Sequence, residues 1–138
     1  MKKTVLTKQQ AHQFCRKWLA AWSGNQPEKL IQFYASNARY RDPATDGYLL
    51  GHDQLFAYFK KLLAYNPDWK WKEEEIMLIE TGFTLKWKAQ IPVADTVIVE
   101  YGLDIVEISA DEPKNPKITR NEVYFDRAEL LSALTNNQ

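Results

Sequence analysis

Apolar residues recur every three or four positions in the first part of the chain and every two positions in the second. Ala11, Phe14, Cys15, Trp18, Leu19 and Trp22 line up on one face of a helix. Thr7 and Gln10 have capping-box spacing at its start, and Ser23-Gly24-Asn25 stops it. Pro27 suits the first turn of a second helix whose apolar set is Leu30, Ile31, Phe33 and Tyr34, so the pattern predicts a helical hairpin. A short extended piece follows, Arg39-Tyr40-Arg41-Asp42, because Pro43 biases Asp42 away from helical torsions. Beyond a loop through Asp46 and Gly47, a third helix is marked by Leu55, Tyr58, Phe59, Leu62 and Leu63 and ends at Asn66-Pro67.

From Trp69 the pattern alternates. A strand from Trp69 to Ile79 is followed by a turn at Thr81-Gly82, and then Phe83, Leu85, Trp87, Ala89 and Ile91 alternate with polar neighbours. A third strand runs from Thr96 to Ile108. The stretch Ser109 to Lys117, with Pro113 and Pro116, is too rich in proline to continue it. A fourth strand, Ile118 to Phe125, precedes a short helix carrying Leu130, Leu131 and Leu134, with Asp126 and Glu129 at its start. Helices first and an antiparallel meander afterwards predict one α+β domain over residues 1–138. The expected architecture is a cone-shaped roll, with the N-terminal helices packed on a strongly curved, mainly antiparallel sheet and a pocket at the wide end.

Composition narrows the function classes. A chain of 138 residues with 45% hydrophobic and 26% charged residues is a globular domain, not a disordered or fibrous one. Five Trp, seven Tyr and six Phe supply large flat side chains for the walls of a core or pocket. Lys plus Arg equals Asp plus Glu at 18 each, so no global field favours nucleic acid or an anionic membrane. The single thiol, Cys15, excludes an intramolecular disulfide and reads as an inert core residue. Lys2 and Lys3 are not followed by an apolar stretch of signal-peptide length, and no run approaches a membrane span. The chain is therefore read as cytoplasmic.

Three segments carry a family resemblance: Tyr34-Ala35-Ser36-Asn37-Ala38-Arg39-Tyr40-Arg41-Asp42-Pro43, Gly51 opening a helix, and Glu122-Val123-Tyr124-Phe125-Asp126. In order and spacing they resemble the nuclear transport factor 2-like superfamily, and within it the SnoaL-like polyketide cyclase branch. Ketosteroid isomerases and limonene epoxide hydrolases are more distant relatives. The resemblance implies that Asp42 is a general base and that Asp104 is a second, protonated carboxyl in an oxyanion hole; carboxyls tuned apart in this way are a known device of ketosteroid isomerases. Trp18 stands where that family has its oxyanion tyrosine. For epoxide hydrolysis Tyr40 and Asp126 match, but Leu85 and Trp87 occupy the positions of a required Arg and Asp.

Each of these residues also has a plainer reading. Asp before Pro commonly opens a turn. Asp104 and Glu100 share a strand face that is either interior, where each needs a partner, or wet. Asp126 is a ready helix cap, and Glu122 and Tyr124 share the face of Ile118 and Arg120. Trp69, Trp71 and Trp87 suit a core or a dimer surface as well as a ligand wall. The resulting expectation is a pocket for a small, mainly apolar organic ligand, with Asp42 and Asp104 as catalytic residues. Trp18, Tyr40, Phe59, Trp87, Glu122 and Tyr124 are its expected ligand-binding set. No cofactor is called for, and no metal, because His12 and His52 lack ligand spacing. Neither nucleic acid nor membrane is an expected partner. A homodimer across the sheet is expected, with Trp69, Trp71 and the third strand supplying apolar groups. A cofactor-independent isomerase or cyclase and a non-catalytic binding or interaction module both remain open at this point.

Overall fold

The computed structural model describes residues 4–109 and 115–136; Lys2, Lys3 and the part of the proline-containing stretch that includes Pro113 lie outside the described residues. The elements follow in the order α1 (Lys8–Ala21), α2 (Pro27–Ile31), β1 (Tyr34–Arg41), β2 (Leu49–Leu50), α3 (Gly51–Tyr65), β3 (Lys70–Ile79), β4 (Gly82–Val93), β5 (Thr96–Ile108), β6 (Ile118–Tyr124) and α4 (Ala128–Asn136). Among the described residues the strands form one sheet in the order β2-β1-β6-β5-β4-β3. Only the β1–β6 pair is parallel; the others are antiparallel.

Local chemistry accounts for most boundaries. The Thr7 hydroxyl accepts from the Gln10 amide at 3.1 Å while the Gln10 side chain accepts from the Thr7 amide at 2.9 Å, a complete capping box at the start of α1. Past its end the chain turns through Gly24 and Asn25, both in the left-handed region at φ 79° and 55°. The Gly24 amide donates to the Pro67 carbonyl at 2.9 Å and so ties the exit of α1 to that of α3. The second helix is shorter than its apolar set suggests. Tyr34 leaves it to open β1, where it pairs with Ile118 and donates its hydroxyl to Asn121 at 2.8 Å. A helix of little more than one turn has small intrinsic stability, so strand pairing and a buried hydrogen bond decide the boundary.

α1 and α3 lie across the inner face of the sheet. Their stripes, Ala11, Phe14, Cys15, Trp18 and Leu19 from α1 and Leu55, Phe59 and Leu63 from α3, are buried against Ala38, Tyr40, Phe83, Leu85, Ala89 and Val106. Burial raises the Cys15 thiol, which keeps it protonated. His12 of α1 meets Glu73 of β3 at 2.7 Å. Among the described residues no helix is long and apolar enough to cross a membrane.

The cone-shaped roll on a strongly curved sheet is corrected by this topology. The ladder is open, with β2 and β3 as separate edges. Its longest hairpin, β4–β5, runs in unbroken register from Gly82↔Glu107 to Val93↔Thr96. Bulges, which bend a strand sharply, lie only in the flanking pairs: between Glu73 and Glu75, between Tyr34 and Arg39, and opposite Glu107 and Ile108. The central hairpin thus lacks the device that a tight roll requires. The flanking bulges have another effect. The inward series of β6 runs Ile118, then Asn121 and Val123, because Thr119 is an extra residue opposite Glu107 and Ile108. That shift turns every later side chain of β6 to the opposite face from the one simple alternation predicts.

Candidate functional site

Between the inner sheet face, α3 and α4 lies a cavity of about 230 Å³, below the range of about 300–1,000 Å³ common for ligand pockets and so suited to a small molecule. Its walls are mostly aromatic. Trp22 from the end of α1, Tyr40 from β1, Tyr58 from α3, Trp69 and Trp71 from the start of β3, and Trp87 from β4 all line it, with Leu130, Leu131 and Leu134 of α4 closing one side. Five of these rings form a connected set, with centroid separations of 5.9 Å for Trp69–Trp71, 6.0 Å for Trp22–Trp71, 6.3 Å for Trp22–Tyr40 and 5.9 Å for Tyr40–Tyr58, while Trp87 packs on Phe125 at 5.4 Å.

Asp104 is the buried polar group of this wall. Its Oδ1 accepts from the Trp87 indole N–H at 2.7 Å and its Oδ2 from the Asn121 amide at 3.1 Å; Asn121 in turn accepts from the Tyr34 hydroxyl. The close Trp87 contact depends on Gly102. A Cβ at Gly102 would lie 2.1 Å from the Trp87 ring, so only glycine lets the indole cross β5 to reach the carboxyl two residues on. Burial pushes the Asp104 pKa up to about 7, and the charge of Asp42 adds to the rise, while the donors Asn121 and Trp87 oppose it.

Asp42 also lines the cavity but is held differently. Its Oδ1 accepts from the backbone amides of Ala44 at 2.8 Å and Thr45 at 3.1 Å, closing the turn at Pro43. Its Oδ2 accepts from the hydroxyls of Tyr40 at 2.8 Å and Tyr58 at 2.7 Å. Burial raises both tyrosines, and the adjacent Asp42 raises them further, so both stay protonated and act as donors. The turn reading of Asp42 and its place at the pocket are thus both realised, and the carboxylate's acceptor positions are filled.

Of the expected ligand-binding residues, Tyr40 and Trp87 reach the cavity and four do not. Trp18 is fully buried in the ring stack of Phe14, Trp22 and Phe83, with its indole N–H outside hydrogen-bond geometry. Phe59 packs behind the wall against Trp22, Tyr34 and Tyr40. Glu122 and Tyr124 lie beyond the β6 bulge and face away from the cavity, which Val123 and Phe125 line instead. There Glu122 accepts from Tyr48, Tyr124 and Arg120. Burial alone would raise Glu122, but these donors and the Arg120 charge outweigh it and bring the carboxyl down to about 2. Glu100 is inward but lies outside the cavity; its buried Oε1 has no partner, and desolvation with the nearby Glu129 and Asp126 raises its pKa. Asp126 accepts from the Ala128 amide at 2.9 Å at the start of α4.

Trp22, Tyr58 and Asn121 were not singled out as site residues from the sequence. Trp69 and Trp71, which suited a core or a dimer surface as well as a ligand wall, line the cavity. Asn121 faces inward only because of the bulge at Thr119, and simple alternation from Ile118, which sets it on the outer face, carries no signal for it. Among the described residues no three His, Cys, Asp or Glu side chains are grouped to hold a metal ion.

A family model described as a SnoaL-like domain matches residues 15–115. The chain belongs to this family, the SnoaL-like branch of the nuclear transport factor 2-like superfamily. No functionally curated protein matches it. Among solved structures it is similar to a hypothetical protein of ketosteroid isomerase-like fold from Catenulispora acidiphila in complex with trimethylamine, at 18% identity and TM-score 0.73 over 88% of this chain and 92% of that one. A SnoaL-like protein of unknown function from Burkholderia thailandensis matches at 18% identity and TM-score 0.70 over 88% and 98%. TerC, co-crystallized with polyporic acid, matches at 11% identity and TM-score 0.72 over 91% and 98%. At these identities the likeness establishes the fold.

Proposed function

We propose that the protein holds a small, mainly apolar organic molecule in this cavity and exchanges a proton with it at Asp104. The observation that supports the reading is a buried carboxyl with a pKa near 7 on the wall of an otherwise aromatic cavity. A group whose pKa lies near the working pH is present in both forms, which is the condition under which general acid–base catalysis is most effective. Trp87 and Asn121 fix the direction of the carboxyl. As an acid, Asp104 gives its proton to an oxygen that gains negative charge; as a carboxylate, it takes one from carbon beside a carbonyl. Isomerisation or ring closure of a carbonyl compound needs only such transfers.

Asp42 is the less suitable base. Removing a substrate proton would require it to release a tyrosine donor, so in this reading it anchors Tyr40 and Tyr58 in the wall. The same saturation favours the second reading, a non-catalytic carrier of the ligand. Proteins of this fold have been crystallised with trimethylamine and with polyporic acid, a base and an acid, so the ligand class rests on each chain's own side chains.

Native mass spectrometry of the purified protein, followed by solvent-deuterium exchange into the molecule released from it, tests both readings. The expected result is deuterium at carbon near pH 7 with the wild type and none with Asp104→Asn. Binding without exchange leaves the carrier reading. A cavity that neither retains nor takes up any small organic molecule sinks both.

A further inference from the structure

The cavity combines a ring-lined wall with a buried carboxyl that has no cationic partner. Among the described residues both donors to Asp104, the Trp87 indole and the Asn121 amide, are neutral. Arg127 is the cation of the lining, and its guanidinium donates to the Pro43 carbonyl at 3.3 Å, beside the Asp42 turn. A carboxyl enclosed with neutral donors alone must either keep a proton or receive a positive charge. The surrounding indole and phenol rings offer faces that attract cations, most strongly where water is excluded. An anionic ligand would meet Asp42, Asp104 and the negative faces of the rings together.

We propose that the occupant carries its own positive charge: a small hydrophobic amine or quaternary ammonium, its charged head beside Asp104 and its apolar body against Trp22, Trp69 and Trp71. This rests on the reading of the cavity as the ligand site and adds the chemical class of the ligand. One wall tryptophan from the end of α1, two from the start of β3 and a carboxyl without a cationic partner suit such a head better than they suit a hydrocarbon. A neutral molecule would use the rings alone and leave the carboxyl to keep its proton.

The test compares benzyltrimethylammonium with its neutral carbon isostere, neopentylbenzene, by quenching of tryptophan fluorescence at constant ionic strength near pH 8. The shapes match, so a difference reports charge. The cation is expected to bind at least tenfold more tightly. Asp104→Asn should remove most of that preference while neopentylbenzene still binds, which also shows that the variant is folded. Trp71→Leu should weaken the cation more than the isostere. Equal or tighter binding of neopentylbenzene to the wild type overturns the cationic class and leaves the cavity a ligand site. Binding of neither compound counts against both the class and the site.

Discussion

Asp104 concentrates the physics of the site in one side chain. Its folded pKa of about 7 lies above the ordinary aspartate value of ~3.9. Below that ordinary value the carboxyl is protonated in both states and burial carries no ionic penalty. As pH rises toward 7, the unfolded chain ionises while the folded one keeps its proton, so folding stability falls; above 7 the loss is complete and constant. Asp104→Asn removes this dependence. Its hydrogen bonds can be re-formed if Asn121 turns its carbonyl toward residue 104 and its amide toward Tyr34. The variant should therefore gain on the wild type between pH 4 and 8 by on the order of 3 kcal/mol. Paired denaturation curves across that range check it, and a pH-independent gap would refute a buried acid. Gly102 is the other decisive residue. Gly102→Ala places a methyl inside the Trp87 ring and should cost about 1–3 kcal/mol. It should also break the Trp87–Asp104 hydrogen bond, seen as a changed tryptophan emission alongside a lower Tm.

At the scale of elements, the hairpin β4–β5 carries the cavity's main residues, Trp87 on one strand and Asp104 on the other. Its two-residue connection places Ala94 in the left-handed region at φ 54°. That conformation costs an L-residue about 1–2 kcal/mol, and hairpin turns of this kind favour glycine or asparagine. Ala94→Gly is expected to stabilise the fold by roughly 0.5–1 kcal/mol, since glycine's greater freedom in the unfolded chain returns part of the gain. Thermal melts compare the two proteins directly; a lower Tm in the variant would show that the turn is not strained. α4 contributes at the same scale. Leu130 is buried while Leu131 and Leu134 are exposed, yet all three close the cavity, so this helix forms the wall between the cavity and solvent.

The whole molecule presents a contrast between the two faces of its sheet. The inner face is covered by helices, whereas the outer face leaves Val97, Val99, Tyr101 and Leu103 exposed in one row along β5, with Tyr124 on β6 and Met77 on β3. A contiguous apolar row of this kind marks an interaction surface. We propose a second copy of the chain as its partner, the homodimer expected from the sequence, with β5 and not Trp69 or Trp71 at its centre. Such an interface should bury on the order of 1,000 Å² or more in total. Light scattering at tens of micromolar should give twice the chain mass, and Tyr101→Lys should halve it without changing the circular dichroism. A wild-type monomer at that concentration would overturn the proposal.

Much of this protein was legible because it depends on neighbours in sequence. The three- and four-residue spacing of α1 and α3, the capping box at Thr7 and Gln10, the alternation of β4 and the turn before Pro43 all follow from local geometry. Asp42 and Asp104 were marked by the family resemblance carried in short motifs, and both line the cavity. What escaped depends on pairing at a distance. Tyr34 belongs to a strand and not a helix because Ile118 and Asn121 meet it there. Glu122 and Tyr124 face away because Thr119 is one residue too many for its partner strand, and alternation carries no mark of an inserted residue. Trp22, Trp69 and Trp71 become one wall only when α1 and β3 pack together. The sheet stays open for a similar reason: bending needs bulges in the central hairpin, and register is decided between strands. Local periodicity thus determined the elements and the family resemblance marked the two candidate acids, whereas the facing of β6, the membership of the cavity wall and the shape of the sheet were decided by tertiary pairing, because each is a relation between segments that no single stretch of sequence contains.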